Sequence, residues 1–484
     1  MTKVKQALSE KAWARWLALT LLASAMFFGY IFMDVLSPLQ AALQDTKGWD
    51  PTAYGRFAGS ETFLNVFVFF LIFAGIILDK MGVRFTAILS GSVMVIGAAI
   101  NYYALTDSFA GSSLENTFNN FINLPDAWWN ITPFYDGMPA SAKLSAIGFM
   151  IFGCGVEMAG ITVSRGIVKW FKGKEMALAM GIEMAIARCG VAVVFIGSPA
   201  MAAISGTIEV SRPVGMGVLL LFIGLIGFIA YSFMDYALER QTGEKGEEKD
   251  DPFKISDLKY IFSSKVFWLV AMLCVLYYSA IFPFQKYAAN MLQCNLGITS
   301  EEAGLTFFVF PLGAAAITWL LGMYLDHKGK GATMLILGAI LMILCHLTFA
   351  FVLPATKSTA VAYAAIIVLG ISFSLVPASL WPSVPKLVDG RLLGSAYAVI
   401  FWIQNIGLYA FPMIIGSVLQ STNPGVTDPL QYDYTWPMVL FASLGVLALF
   451  FGIWLKALDA KKHYGLEDPN IVAEDSKVEF DGME

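Results

Sequence analysis

Long apolar runs separated by short polar stretches recur along the whole chain. At about 1.5 Å per residue, each run is long enough to cross about 30 Å of hydrocarbon as a helix. The pattern predicts spans at 14–42, 53–78, 85–106, 141–169, 176–204, 214–237, 265–293, 302–325, 333–354, 359–385, 393–420 and 434–457. The longest strongly charged stretch, ERQTGEKGEEKDDPFKISDLKYIFSSK, falls between the sixth and seventh and leaves six spans on each side. The expectation is an all-α membrane protein: residues 1–13 as a terminal segment, a first bundle over 14–238, a loop over 239–264, a second bundle over 265–458 and an acidic tail over 459–484. Within the loop, FKISDLKYIF has amphipathic helical spacing, as expected of a helix lying along the membrane surface.

Composition narrows the function classes. Of 484 residues, 57% are hydrophobic and only 14% charged, which excludes a soluble enzyme. The net charge of −5 comes largely from the tail and points away from nucleic acid. Five cysteines and three histidines lie scattered, without zinc-ligand or redox-pair spacing, and no nucleophile constellation or phosphate-cradling loop appears. No cofactor or metal is expected. The basic N-terminus runs straight into the first span without a cleavage site, as a retained span does. Basic residues crowd one side of the spans, against only Lys47, Arg56, Lys143, Arg212 and Lys357 on the other, which predicts cytoplasmic termini. The outer loop, Thr106 to Ala140, is aromatic and holds Asn130-Ile131-Thr132, a glycosylation acceptor by pattern.

An internal repeat follows. GIILDKMGVR comes after the second span and GMYLDHKGKG after the eighth, so Gly75, Asp79 and Gly82 match Gly322, Asp326 and Gly329 at identical spacing. Such a repeat belongs to two-bundle transporters. Its glycines permit a sharp turn, and its aspartate can cap a helix or pair with a cation, for which Arg391 is the expected partner of Asp79. Lys80 and Arg84 keep the first copy basic, whereas His327 stands in the second, which predicts a weaker interlock there.

Ionisable residues inside the spans are the candidate chemistry. Arg188 lies about twelve residues into the fifth span, roughly 18 Å deep, where a cation needs a cavity or a partner. Glu183 is five positions away and about 140° around the helix, so Glu157 of the fourth span, at similar depth, is the better match. Gly153, Gly155 and Gly160 would let a neighbouring helix come close there. Glu183 and Arg165 fall together in the inner half and read as a structural or gating pair. A fixed cation and a fixed anion at mid-depth suit a zwitterion, with Arg188 on its carboxylate and Glu157 on its ammonium. Asp34 is a further intramembrane acid, able to bind an amine or carry a coupling proton. Glu61 reads as interfacial. Pro283 is placed to break the seventh span into a gate. Lys286, Trp381, Gln404 and Asn405 are the lining candidates of the second half.

The repeated G-x-x-x-D-R/K-x-G-R/K pattern resembles the signature of the major facilitator superfamily, which implies its twelve-helix fold. The run VEMAGITVSRGIVKWFKGKEMALAMGIEMAIARCG, with FPF at 282–284, SLVPASLWP and IQNIGL, is similar to the lysosomal dipeptide transporter branch, known as major facilitator superfamily domain-containing protein 1, and its bacterial relatives. In that branch an aspartate, a glutamate and an arginine of the first bundle line the site, and by motif these fall on Asp34, Glu157 and Arg188. The resemblance implies alternating-access transport of dipeptides held by their termini, by a working monomer in the bilayer. The absence of an acidic dileucine signal and a longer outer loop favour a bacterial inner membrane over a lysosomal one, and no accessory subunit is assumed. The alternatives are a carrier of small organic anions such as dicarboxylates, which Glu157 and Asp34 would repel unless protonated, and a solute sensor that does not transport.

Overall fold

A computed structural model describes residues 7–127, 129–242, 255–389 and 392–469. Every long apolar run is helical, and among the described residues there is no strand. The first half holds α1 (Ala12–Asp34), α2 (Pro51–Ser60), α3 (Phe70–Leu105), α4 (Ala140–Phe171), α5 (Met176–Ala202) and α6 (Ser211–Thr242). The second holds α7 (Lys265–Leu296), α8 (Val309–Lys328), α9 (Gly331–Leu347), α10 (Thr359–Leu387), α11 (Leu393–Thr422) and α12 (Thr435–Lys462). Among the described residues, eleven helices are long and apolar enough to cross a membrane. One of these, α3, is two helices joined at Gly82, whose φ of 77° and ψ of 169° only glycine adopts at low cost. Its first part completes the second expected span and its second part is the third. The amphipathic segment between the halves is helical over Ile255–Ser263.

The second span departs from the unbroken helix its hydropathy implies. It stops at Ser60, resumes over Phe63–Phe67, and stops again at Phe69, whose φ of 56° places a bulky residue in the left-handed region. The ring of Phe69 stacks on Trp402 of α11 at 5.4 Å, a contact between the halves that offsets the strain. Conversely, Pro283 does not break the seventh span. Helix α7 runs through it, and Pro283 is buried among the neighbouring helices, where such a proline is tolerated.

The halves meet most tightly on the side that carries the 106–140 loop, called here the loop side. There Gly55 and Gly59 of α2 lie against the carbonyls of Pro412 and Tyr409 in α11, where a Cβ would collide. The Tyr54 hydroxyl donates to the Lys286 carbonyl at 2.8 Å, the Ser300 hydroxyl to the Pro38 carbonyl at 2.8 Å, and Gln44 Nε2 to the Tyr432 hydroxyl at 2.7 Å. The loop itself is anchored to the first half. Arg56 donates to Asp126 at 2.5 Å and to the Thr132 carbonyl at 2.6 Å, and the buried Lys143 holds the Phe121 carbonyl at 3.0 Å. Tyr409 of the second half donates to the Ile131 carbonyl, so the loop bridges both.

Asn130 is not presented as a glycosylation acceptor would be. It is 4% exposed. Its Nδ2 donates to the carbonyls of Pro125 and Phe134, and its Oδ1 accepts from the Thr132 amide and hydroxyl. All its hydrogen-bonding capacity is spent on holding the loop together.

Candidate functional site

Near mid-depth, α1, the break after α2, α4 and α5 bring four charges around one hydroxyl. Tyr30 of α1 is within electrostatic reach of Glu183, Glu157, Arg188 and Glu61. Glycine permits the assembly. A Cβ at Gly153, one turn from Glu157, would strike the Glu61 carbonyl, and one at Gly155, on the far side of α4, would strike Met94 of α3, so α4 lies directly against its neighbours. Gly160 has no comparably close neighbour. Glu61 is therefore interior, not interfacial as its sequence position implied, and lies within reach of Lys286, Asp34 and Glu157.

The expected pairings change. Glu157 and Arg188 lie at this centre but are not bonded to each other; among the described residues neither forms an ion pair. Arg188 is half-buried, with its guanidinium 4.9 Å from the centroid of the Phe373 ring in α10, the cation–π arrangement that an arginine adopts on an aromatic wall. Tyr30 and Tyr278 are within its electrostatic reach. The expected pair of Arg165 and Glu183 is absent, because Arg165 bridges Asp79 at 3.1 Å instead. This also supplies Asp79 with a partner inside the first half; Arg391, expected in that role, lies outside the described residues.

Asp34 is not free. Its side chain is 1% exposed, and it accepts from Lys286 at 2.9 Å, Gln285 at 2.6 Å and Ser37 at 2.8 Å. Lys286 also donates to the Met33 carbonyl at 2.6 Å. Asp34 and Lys286, two of the expected lining residues, thus bind α1 to α7 across the two halves. Sequence reasoning missed this bridge, since the residues lie 252 positions apart and nothing local marks the pair.

In the second half, Phe373, Phe282, Tyr278 and Trp381 make an aromatic wall facing Arg188. Phe282 meets Phe373 edge-on at 5.6 Å, Trp381 Nε1 donates to the Tyr278 hydroxyl at 3.0 Å, and Trp381 stacks on Phe401 at 4.9 Å. Of the lining candidates here, only Trp381 joins the wall. Gln404 is buried and takes a hydrogen bond from Cys274 of α7, and Asn405 donates to Phe401 within its own helix.

The two motif copies are held differently. In the first, Lys80 is exposed, Arg84 pairs with Glu239 of α6 at 2.5 Å, and Gly75 has no close neighbour. In the second, Gly322 is equally open, but Gly329 (φ 69°) sits under the Glu467 carbonyl, because the start of the tail folds back over the turn. The amides of Lys330 and Gly331 donate to the carbonyls of Glu467 and Leu466, and the Glu467 carboxylate takes the Thr333 amide and hydroxyl at the N-terminus of α9. That position suits an acid, since it meets unpaired amides and the positive end of the helix. The start of the tail is therefore docked as far as Asp468. Asp326 is ordered at the end of α8, and His327 bonds the Met323 carbonyl.

Among the described residues there is no cluster of metal-binding side chains. The lysosomal dipeptide transporter MFSD1 of Danio rerio is 26% identical over 451 residues, covering 91% of this chain and 86% of that protein. The human protein of the same name is 25% identical, covering 84% and 80%. Among solved structures, the nucleoside transporter NupG superposes with a TM-score of 0.65 at 14% identity, over 91% of this chain and 99% of that one. The sequence profile of the Major Facilitator Superfamily matches residues 22–412 and 287–470. With its apolar helices, its broken second span and its duplicated turn motif, the chain is a multi-pass membrane transporter and belongs to the Major Facilitator Superfamily.

Proposed function

We propose that this transporter carries dipeptides, gripping the peptide carboxylate with Arg188 and the ammonium with Glu157, against the aromatic wall of the second half. The observation that carries the reading is Arg188 itself: a cation at mid-depth, stacked on Phe373 and without an ion pair among the described residues. A cation in such a place is costly unless a partner arrives, and a planar guanidinium is the group best shaped to take a carboxylate through two parallel hydrogen bonds. Glu157, across Tyr30, supplies the opposite charge. The naming of the MFSD1 relatives as dipeptide transporters agrees with this. Alternating access would require the bridge between Asp34 and Lys286 to open on the loop side, which we assign to the non-cytoplasmic face from the distribution of basic residues.

The test is thermal stabilisation of the purified protein by a dipeptide panel, with free amino acids and dicarboxylates as controls. Free-ended dipeptides are expected to stabilise the parent but neither Arg188→Ala nor Glu157→Gln. Stabilisation by dicarboxylates alone, or by dipeptides without Arg188, would refute it.

A further inference from the structure

We propose that Phe69 is a hinge in the second span, which is broken there while the loop side is closed and joins into a continuous helix when the loop side opens. Such a hinge requires the two halves to move against each other, as alternating access does, and is independent of which solute is carried.

Local sequence and observed backbone disagree at this point. From Glu61 to Ala74 the chain has no glycine or proline, and in a bilayer its apolar and aromatic residues favour an unbroken helix. Yet the helix over Phe63–Phe67 ends at Val68, and Phe69 adopts φ 56° and ψ 38° before α3 begins at Phe70. For a residue with a Cβ, the left-handed conformation is disfavoured about tenfold against the right-handed one. Strained backbone of this kind persists only where the surrounding contacts hold it.

Those contacts come from the other half. In an unbroken helix the Val66 carbonyl would take the Phe70 amide. Here it accepts from the indole N–H of Trp402 in α11 at 3.0 Å, and a side chain inserted into the helical ladder is a known cause of a break. The Phe69 ring stacks on the same indole at 5.4 Å, and Phe63 and Phe67 meet Tyr409 of α11 at 5.6 and 5.3 Å. Trp402 and Tyr409 belong to the helix from which Gly55 and Gly59 must part when the loop side opens. Parting removes the clasp, and the Val66 carbonyl returns to the Phe70 amide. The inner part of the span, with the first motif copy, then changes direction relative to its loop-side part.

The experiment compares Phe69→Gly with Phe69→Ala in liposomes containing the full chain. It reads the distance distribution between spin labels at Thr207 and Glu301, exposed positions of opposite halves, with the native cysteines replaced. Both variants lose the ring, so they differ only in backbone preference. Glycine adopts the left-handed conformation freely and is disfavoured about fivefold in a helix interior. The glycine variant should therefore show a closed-to-open ratio about tenfold or more above that of the alanine variant. Trp402→Phe, which keeps a ring but has no N–H to donate, should shift the parent about fivefold toward open. Equal distributions in the glycine and alanine variants, as a fixed kink gives, or a Trp402→Phe distribution like the parent's, overturn the hinge. A parent that shows a single distance at every dipeptide concentration tells instead against alternating access itself, and takes the hinge with it.

Discussion

Replacing Lys286 with methionine removes the cation that holds Asp34 and should open the loop side. The carboxylate is 1% exposed and Lys286 is 10% exposed, so neither charge has bulk water to fall back on. Removing one partner of a buried pair costs about 3–5 kcal/mol, because the remaining charge is stranded. The cost falls only on the state in which the halves are closed around Asp34, since opening lets water reach it. An equilibrium shifted by that amount changes between about a hundredfold and a few thousandfold. Gln285 and Ser37 continue to donate to the carboxylate and keep the effect toward the lower end. The assay is a distance distribution between spin labels at Thr207 and Glu301, exposed loop-side positions in opposite halves, with the five native cysteines replaced. Lys286→Met should move the population to longer distances. The double variant Asp34→Asn with Lys286→Met, which strands no charge, should recover much of the closed population. An unchanged distribution in the single variant, or a double variant as open as the single one, would refute the reasoning.

Expressed in a secretory compartment, the protein should carry no glycan at Asn130, because that amide is already bonded on both atoms; a mass shift on glycosidase treatment would contradict this. Glu467→Ala should destabilise the second half by about 1–2 kcal/mol, seen as a lower melting temperature, since it unties the Thr333 amide and hydroxyl. Glu175 bonds Arg15 at 3.1 Å, and its own backbone amide together with Arg15 holds its carboxyl below the usual 4.5. With the folded value depressed, its contribution is present above the unfolded value and lost as pH falls through the folded one. The difference in melting temperature between the parent and Glu175→Gln should therefore be present at pH 7 and shrink below about pH 4.5, and a difference independent of pH would count against the pairing.

The helices were legible in the sequence. Those depend on hydropathy over a single segment's length, and a bilayer leaves an apolar run no alternative to hydrogen-bonding its own backbone. The duplicated turn was equally legible, since Gly82 and Gly329 satisfy a local backbone need. The presence of Arg188, Glu157 and Glu183 in the spans could be read directly, but their partners could not. Pairing depends on which helix faces rotate toward one another, and that is settled by contacts hundreds of residues apart. Thus Arg165 went to Asp79 and not to Glu183, and Asp34 became a bridge to Lys286 between the halves. The break at Phe69 was settled by packing: Trp402 of α11 gives the second span's irregular backbone a ring to stack on, and the uniformly apolar residues around Phe69 carry no sign of it.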